Sequence, residues 1–393
     1  MSNVKKLFGK NAMLVILLLT MLLFEVLLGS SNKGSLFSPQ NLSNLIAQNA
    51  FVVILATGML LCILTGGNID LSVGSIVILV GAFAGIFIVE GGINPYIGII
   101  LCLIMGTLIG AWQAFWIAYM GIPPFIVTLS GMLTFRGLAL IVMRSQNIGP
   151  FPTEFKALFN NYIPSSWVSD APGTVFTVSI VIAVAVCAVL IGMEVMSRIQ
   201  RRRKGYAVEN LLWTVARVAV ICAVFLFIFM RLGQHNGVPV ILLLLGAIVL
   251  AYTYFTQNTI YGRYLYAMGG NAKAARLSGV NTKRMMFFAY TNMGFLAGVA
   301  ALVCVARFNQ ASTQAGTGYE LDAIGSCFIG GASAYGGVGK VSGAVIGAIF
   351  MGVLNMGMSL MGWDQNIQRV IKGLVLLAAV IFDILSKNRK QAA

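Results

Sequence analysis

Charge is what this chain of 393 residues has least of: 9% of its residues are Asp, Glu, Lys or Arg. Soluble globular chains carry about 25%, so a soluble protein of this size is excluded. Acids are the scarcer sign, 11 against 26 Lys and Arg. There is one histidine, His235. With one imidazole and few carboxylates, neither a Ser/His/Asp triad nor a paired-carboxylate site has material to build from. The six cysteines (Cys62, Cys102, Cys187, Cys222, Cys304, Cys327) are scattered through apolar stretches, with no CxxC and no metal-ligand spacing. They read as small packing hydrophobes. The 44 glycines have no period of three, which excludes a collagen-like chain. A phosphate loop is also missing. Gly336-Gly-Val-Gly-Lys340 lacks both the leading glycine and the hydroxyl residue after the lysine that GxxxxGK[ST] requires.

What is there is apolar: 59% of the chain. A membrane helix needs about 20 mostly apolar residues. Spans are expected near 12–29, 46–65, 72–89, 96–119, 126–143, 174–193, 211–231, 239–256, 286–306, 342–361 and 367–385. The Gly/Ala-rich segment 322–338 is expected to be a short or broken helix that still crosses. The first segment contains Glu25 and no clear small-x-small site, so it reads as a span rather than a cleaved leader. The fold class is therefore an all-α polytopic membrane protein of about 10–12 transmembrane helices, some short or broken. Residues 1–393 read as a single transmembrane domain. Its longest polar segments are 144–173 (outside) and 257–284 (inside).

Basic residues orient the chain. With the N-terminus inside, Lys5, Lys6 and Lys10 are cytoplasmic. So are Arg198, Arg201, Arg202, Arg203 and Lys204, then Arg263, Lys273, Arg276, Lys283 and Arg284, then Lys340, Lys387, Arg389 and Lys390. Seventeen of the 26 fall on that face, and only Lys33, Arg144, Lys156, Arg231 and Arg307 on the other. The C-terminus is then cytoplasmic too. The net charge of +15 reads as this asymmetry and not as a nucleic-acid surface.

A weak repeat runs through the chain. Asn68-Ile-Asp-Leu-Ser-Val-Gly-Ser75 is similar to Tyr319-Glu-Leu-Asp-Ala-Ile-Gly-Ser326, with Gly106-Thr-Leu-Ile-Gly110-Ala downstream of one and Gly343-Ala-Val-Ile-Gly347-Ala downstream of the other. The two copies begin at opposite faces, as inverted-topology repeats do.

In the inside loop, Asn271 is a plausible N-cap and Gly279 a stop for a short helix over Lys273-Ala-Ala-Arg-Leu-Ser278. Ala274, Ala275 and Ser278 would put small side chains on one face, able to dock in another protein's groove. A solvated loop helix is the plainer alternative. This loop resembles the coupling loop of bacterial ABC importer permeases, Glu-Ala-Ala-x-x-x-Gly, with Lys273 in place of the Glu. Four blocks resemble the ribose/xylose/galactose-type permease family: Gly66-Gly-Asn-Ile-Asp-Leu-Ser-Val-Gly-Ser75; Pro124-Phe-Ile-Val-Thr-Leu-Ser-Gly-Met132 with Phe135-Arg-Gly137; Gly269-Gly-Asn-Ala-Lys-Ala-Ala-Arg-Leu-Ser-Gly279; and Glu320-Leu-Asp-Ala-Ile with Gly330-Gly-Ala-Ser and Gly336-Gly-Val-Gly339. The length and the basic 198–204 connector are most like the xylose and multiple-monosaccharide branch.

The resemblance implies a non-catalytic permease in the bacterial inner membrane. It implies a homodimer that takes a monosaccharide from a periplasmic sugar-binding protein. ATP and Mg would be bound by a separate ABC ATPase, with no cofactor on this chain. It implies coupling to the ATPase through Arg263, Gly270, Asn271, Lys273, Ala274, Ala275, Arg276, Leu277, Ser278 and Gly279. Candidate pathway residues are Asn68, Asp70, Ser72, Trp112, Gln113, Trp116, Asn292, Asp322 and Asn355. Several have a structural alternative. Asp70 and Asp322 can cap helices. The Trp112, Trp116 and Tyr119 face can be an interfacial aromatic belt. Asn292 and Asn355 can join helices. Two other function classes stay open at this point. One is an ion-coupled secondary sugar transporter using Asp70. The other is a membrane transferase acting on lipid-linked sugars.

Overall fold

The computed structural model describes residues 12–163, 173–203, 205 and 211–391. Lys5, Lys6, Lys10, Lys204, the side chains of Lys387, Arg389 and Lys390, and the 164–172 part of the outside loop lie outside the described residues. The helices are α1 (Ala12–Ser30), α2 (Pro39–Leu64), α3 (Val73–Ala84), α4 (Pro95–Ala118) and α5 (Pro124–Val142). Then come α6 (Thr153–Asn160), α7 (Thr174–Arg203), α8 (Leu211–Gly233), α9 (Ile241–Asn258) and α10 (Ile260–Gly270). The last five are α11 (Ala272–Leu277), α12 (Thr282–Phe308), α13 (Tyr319–Ile329), α14 (Val341–Leu360) and α15 (Gln365–Gln391). A π-helical turn over Gly85–Glu90 extends α3. The one sheet among the described residues pairs β1 (Tyr162–Ile163) antiparallel with β2 (Val238–Pro239).

Helix starts follow local chemistry. Ser38 and Asn94 accept from the amides of Asn41 and Tyr96, and Pro39 and Pro95 open the helices they cap. Among the described residues, ten helices are long and apolar enough to cross a membrane. The eleventh expected span, 367–385, lies within α15 but is not one of the ten; Arg369 and Lys372 fall in its first turns. Helix α6, inside the polar 144–173 loop, was not legible as a helix in advance. Its Phe155 is fully buried.

The core is α2, α3 and α12, which are buried over most of their length, whereas α1, α7 and α8 are mostly exposed. α2 and α12 run antiparallel. Arg307, near the end of α12, donates to Asn44, near the start of α2, at 3.1 Å. Farther along, Gly58 of α2 packs on Met293 and Leu296. Neither helix is followed by a simple turn. After α2 the chain leaves the α10 end of the bundle, where the Gly337 amide donates to the Leu64 carbonyl. It passes through the non-helical segment 65–72 and starts α3 inside the bundle. After α12 it leaves the opposite end, where Ile148 and Ala311 form an isolated bridge. It returns through 309–318 and starts α13 inside the bundle. The two starts meet: a methyl group on Gly74 would sit 2.1 Å from the Gly316 carbonyl oxygen, and one on Gly316 2.0 Å from that of Gly74.

This is an inverted pair of units, α2–α3–α4 and α12–α13–α14. Helix α4 packs on α12 through Gly106, Gly110, Gly294 and Gly298, and α14 packs on α2 through Gly352 and Asn49. α3 and α13 start 246 residues apart, as do α4 and α14. The sequence alignment of 68–75 with 319–326 uses a spacing of 251 residues, so its register is displaced. Gly343 and Gly347 are not the counterparts of Gly106 and Gly110. They admit the backbone of α13 at Gly330 and Ser326 instead.

The α4–α12 contact leaves no room for a side chain. A methyl on Gly294 would lie 2.4 Å from the Gly106 carbonyl oxygen. Gly294→Val should cost about 1–3 kcal/mol from overpacking, read as a lower thermal midpoint of the detergent-solubilised protein. Gly246→Val on α9, where nothing lies within 4 Å, should leave it unchanged.

Candidate coupling surface and polar pathway

At the end of the bundle where α2 finishes, α10 and α11 form an elbow. Asn271 ends α10 and caps α11, its side-chain oxygen accepting from the Ala274 amide at 2.9 Å. Gly279 stops the helix with φ +89°, a conformation that favours glycine. The elbow is anchored from below. Leu265 and Met268 are buried, and Tyr266 donates to the Gly339 carbonyl at 2.8 Å. A methyl on Gly269 would lie 2.0 Å from the Leu64 carbonyl oxygen. Ala275 is buried too, so it does not share an outer face with Ala274 and Ser278; its small size serves the anchor. Arg263, Gly270, Lys273, Ala274, Arg276, Ser278 and Gly279 are exposed. Leu277 is 83% exposed, the most of any large hydrophobic side chain among the described residues. It protrudes from a rim that carries Lys273 and Arg276.

The nine pathway candidates separate into distinct clusters. Asp70, Ser72 and Gln113 form one. The Asp70 carboxylate accepts from the Ser72 amide (2.8 Å) and hydroxyl (2.6 Å), and Gln113 donates to the Ser72 oxygen at 2.8 Å. All three are buried. Asp70 thus closes the turn before α3 inside the bundle, where the sequence placed it at a membrane boundary. Gly131 of α5 packs on Gln113 and Ser72. It is seven residues, or about 10 Å, along α5. Asn68 is half-buried and donates to Thr65 at 3.1 Å.

Asp322 and Asn355 do come together. Asn355 donates to the Asp322 carboxylate at 3.4 Å, and Lys372 of α15 lies 3.0 Å from its other oxygen. The Asp322 side chain is 4% exposed. It lies inside the bundle rather than at a membrane face, and it caps nothing. The Lys372 partnership was missed in the sequence; the signal available was one acid and one base inside apolar segments. Asn292 accepts from the Tyr252 hydroxyl across α9 and α12. Trp112 and Trp116 belong to an aromatic row with Phe115 and Tyr119. Trp112, Phe115 and Tyr119 are exposed on the outside of the bundle, away from Gln113. No group of three or more His, Cys, Asp or Glu suited to a metal occurs among the described residues.

Against known proteins, the family described as branched-chain amino acid transport system / permease component matches residues 41–380. The xylose transport system permease protein XylH of Escherichia coli is 37% identical over 91% of this chain and 88% of its own. The XylH of Haemophilus influenzae is 33% identical over 98% and 99%. The ribose import permease protein RbsC of Escherichia coli is 32% identical over 94% and 92%. No solved structure matches the chain.

The Asp322–Lys372 pair ties α13 to α15. Removing one partner leaves a buried charge uncompensated, at a cost of about 3–5 kcal/mol. Lys372→Met alone should therefore lower the thermal midpoint sharply, and adding Asp322→Asn should recover most of the loss.

Proposed function

The chain belongs to this permease-component family, and on that premise we propose a reading of how it works. It is a multi-pass inner-membrane permease subunit of an ABC sugar importer. The family implies a partner ATPase and a periplasmic binding protein. In our reading two copies of this chain, each one permease domain over 1–393, enclose the pathway. The binding protein delivers a monosaccharide, xylose being the first to try given the XylH relatives. ATP and Mg are bound and used on the ATPase alone. Both termini are cytoplasmic, in keeping with the basic residues on that face.

The observation that carries the coupling role is the elbow of α10 and α11. It is rigidly seated on the ends of α2 and 334–339, yet presents Leu277, Ala274 and Arg276 outward. A push on α11 is transmitted to α12 through the short 278–281 connector, where Asn281 caps α12, and to α2 through Gly269. Because α2 and α12 each lead into one of the two half-helices α3 and α13, movement of the elbow reaches the centre of the bundle.

Leu277→Asp and Ala274→Trp should abolish co-purification with the ATPase and sugar uptake while the protein still inserts and elutes as a folded species. Normal assembly and uptake in both would defeat the coupling assignment. Xylose uptake by vesicles holding this chain with an ion gradient and no ATPase would favour the ion-coupled alternative.

A further inference from the structure

We infer that the monosaccharide, on its way through, hydrogen-bonds to a patch formed by Arg136, Thr317 and Glu320. This rests on the importer reading above and names a part of the pathway that the residues considered so far do not.

Arg136 lies twelve residues along α5, about 18 Å from its Pro124 end and about 9 Å from Val142. It is thus well inside the transmembrane length of the bundle. Its Nη2 donates to the Thr317 hydroxyl at 2.5 Å, and that hydroxyl donates to the Gln314 carbonyl at 3.0 Å. Thr317 ends the non-helical return from α12, and Gly318 caps α13. Glu320 stands in the first turn of α13. Its carboxylate feels the Arg136 charge. It reaches to 2.7 Å from where a methyl on Gly74 would be. The patch therefore sits where the two inverted units meet.

Two features distinguish it from the other polar clusters. It is open: Thr317 is exposed, and Arg136 and Glu320 are part-exposed, whereas Asp70, Ser72 and Gln113 are closed to each other and buried. And it sets opposite charges on one patch, the Arg136 guanidinium bonded to Thr317 and Glu320 three residues further on. Ionised groups at this depth facing hydrocarbon are expensive, so this face is wetted. A guanidinium offers donors only and a carboxylate acceptors only. Set along one patch they match the neighbouring hydroxyls of a neutral polyol, which donate and accept, and their opposite charges give a neutral cargo the advantage over an ion.

The test uses the complete importer, with ATPase and binding protein, in proteoliposomes. Arg136→Gln, Glu320→Gln and Thr317→Val should each slow xylose uptake about tenfold or more, the loss of one charge-assisted or hydroxyl hydrogen bond at the constriction. Complex assembly and ATP hydrolysis stimulated by the loaded binding protein should persist, and Thr317→Ser should restore uptake. Separately, Arg136→Cys and Thr317→Cys should react with a charged, water-soluble thiol reagent above the unsubstituted chain, and Leu108→Cys, 63% exposed on α4, only with a lipid-soluble one. Unchanged uptake in both charge variants, or a silent Arg136→Cys and Thr317→Cys pair, overturns the patch. If the unsubstituted complex imports no monosaccharide, the importer reading fails by itself, and the thiol reactions still report whether the face is wet.

Discussion

The fold hangs on a backbone-to-backbone contact between Gly74 and Gly316. In hydrocarbon every peptide group must find a partner within the protein. A chain that unwinds inside a membrane bundle can do so only where other protein surrounds it. Here two unwound segments, 65–72 and 309–318, enter from opposite ends and start new helices against each other. With a side chain at either glycine, the half-helices could not approach. The surrounding structure is consistent with protecting this contact: α2 and α12 flank it, α4 and α14 lock across, and the aromatic and Leu-rich surfaces of α1, α4, α7 and α8 face outward.

The same arrangement separates two jobs that sit close together. The Asp70–Ser72–Gln113 network is used up in holding the turn before α3. Its hydrogen-bonding capacity is spent internally, so it has little to offer a passing sugar. The Asp322–Lys372–Asn355 cluster likewise stitches α13 to α14 and α15. These two clusters are thus closed on themselves and buried, whereas Arg136 and Thr317 stay accessible. That division suits a permease, which must pass its cargo on: tight binding would slow release.

Much of this was legible in the chain. Sparse charge and long apolar runs gave the class and most of the spans. Asn271 and Gly279 bracketed α11 within a residue, because capping and helix termination are local chemistry. What was not legible is non-local. Lys372 finds Asp322 fifty residues away on another helix, and nothing in either neighbourhood announces it. Ala275 looked like part of a docking face because helical spacing gives the relative direction of side chains but not which face the rest of the molecule covers. The repeat was visible, yet its register was displaced. Gly-rich segments resemble one another whatever they pack against, and only the contact at Gly74 and Gly316 fixes where α3 and α13 begin.

The displaced register matters for how force travels. With α3 matched to α13 and α4 to α14, the elbow at α10 and α11 touches one unit at its exit, through Gly269 against Leu64, and the other at its entrance, through Asn281 at the start of α12. A single displacement of the elbow therefore acts on the two units at opposite points of their paths. Since the two starts are in van der Waals contact, they cannot shift independently, and packed backbones of this kind switch between discrete arrangements rather than deform smoothly. In the coupling reading proposed above, a movement of the elbow outside the membrane would be carried in this way to the centre of the bundle.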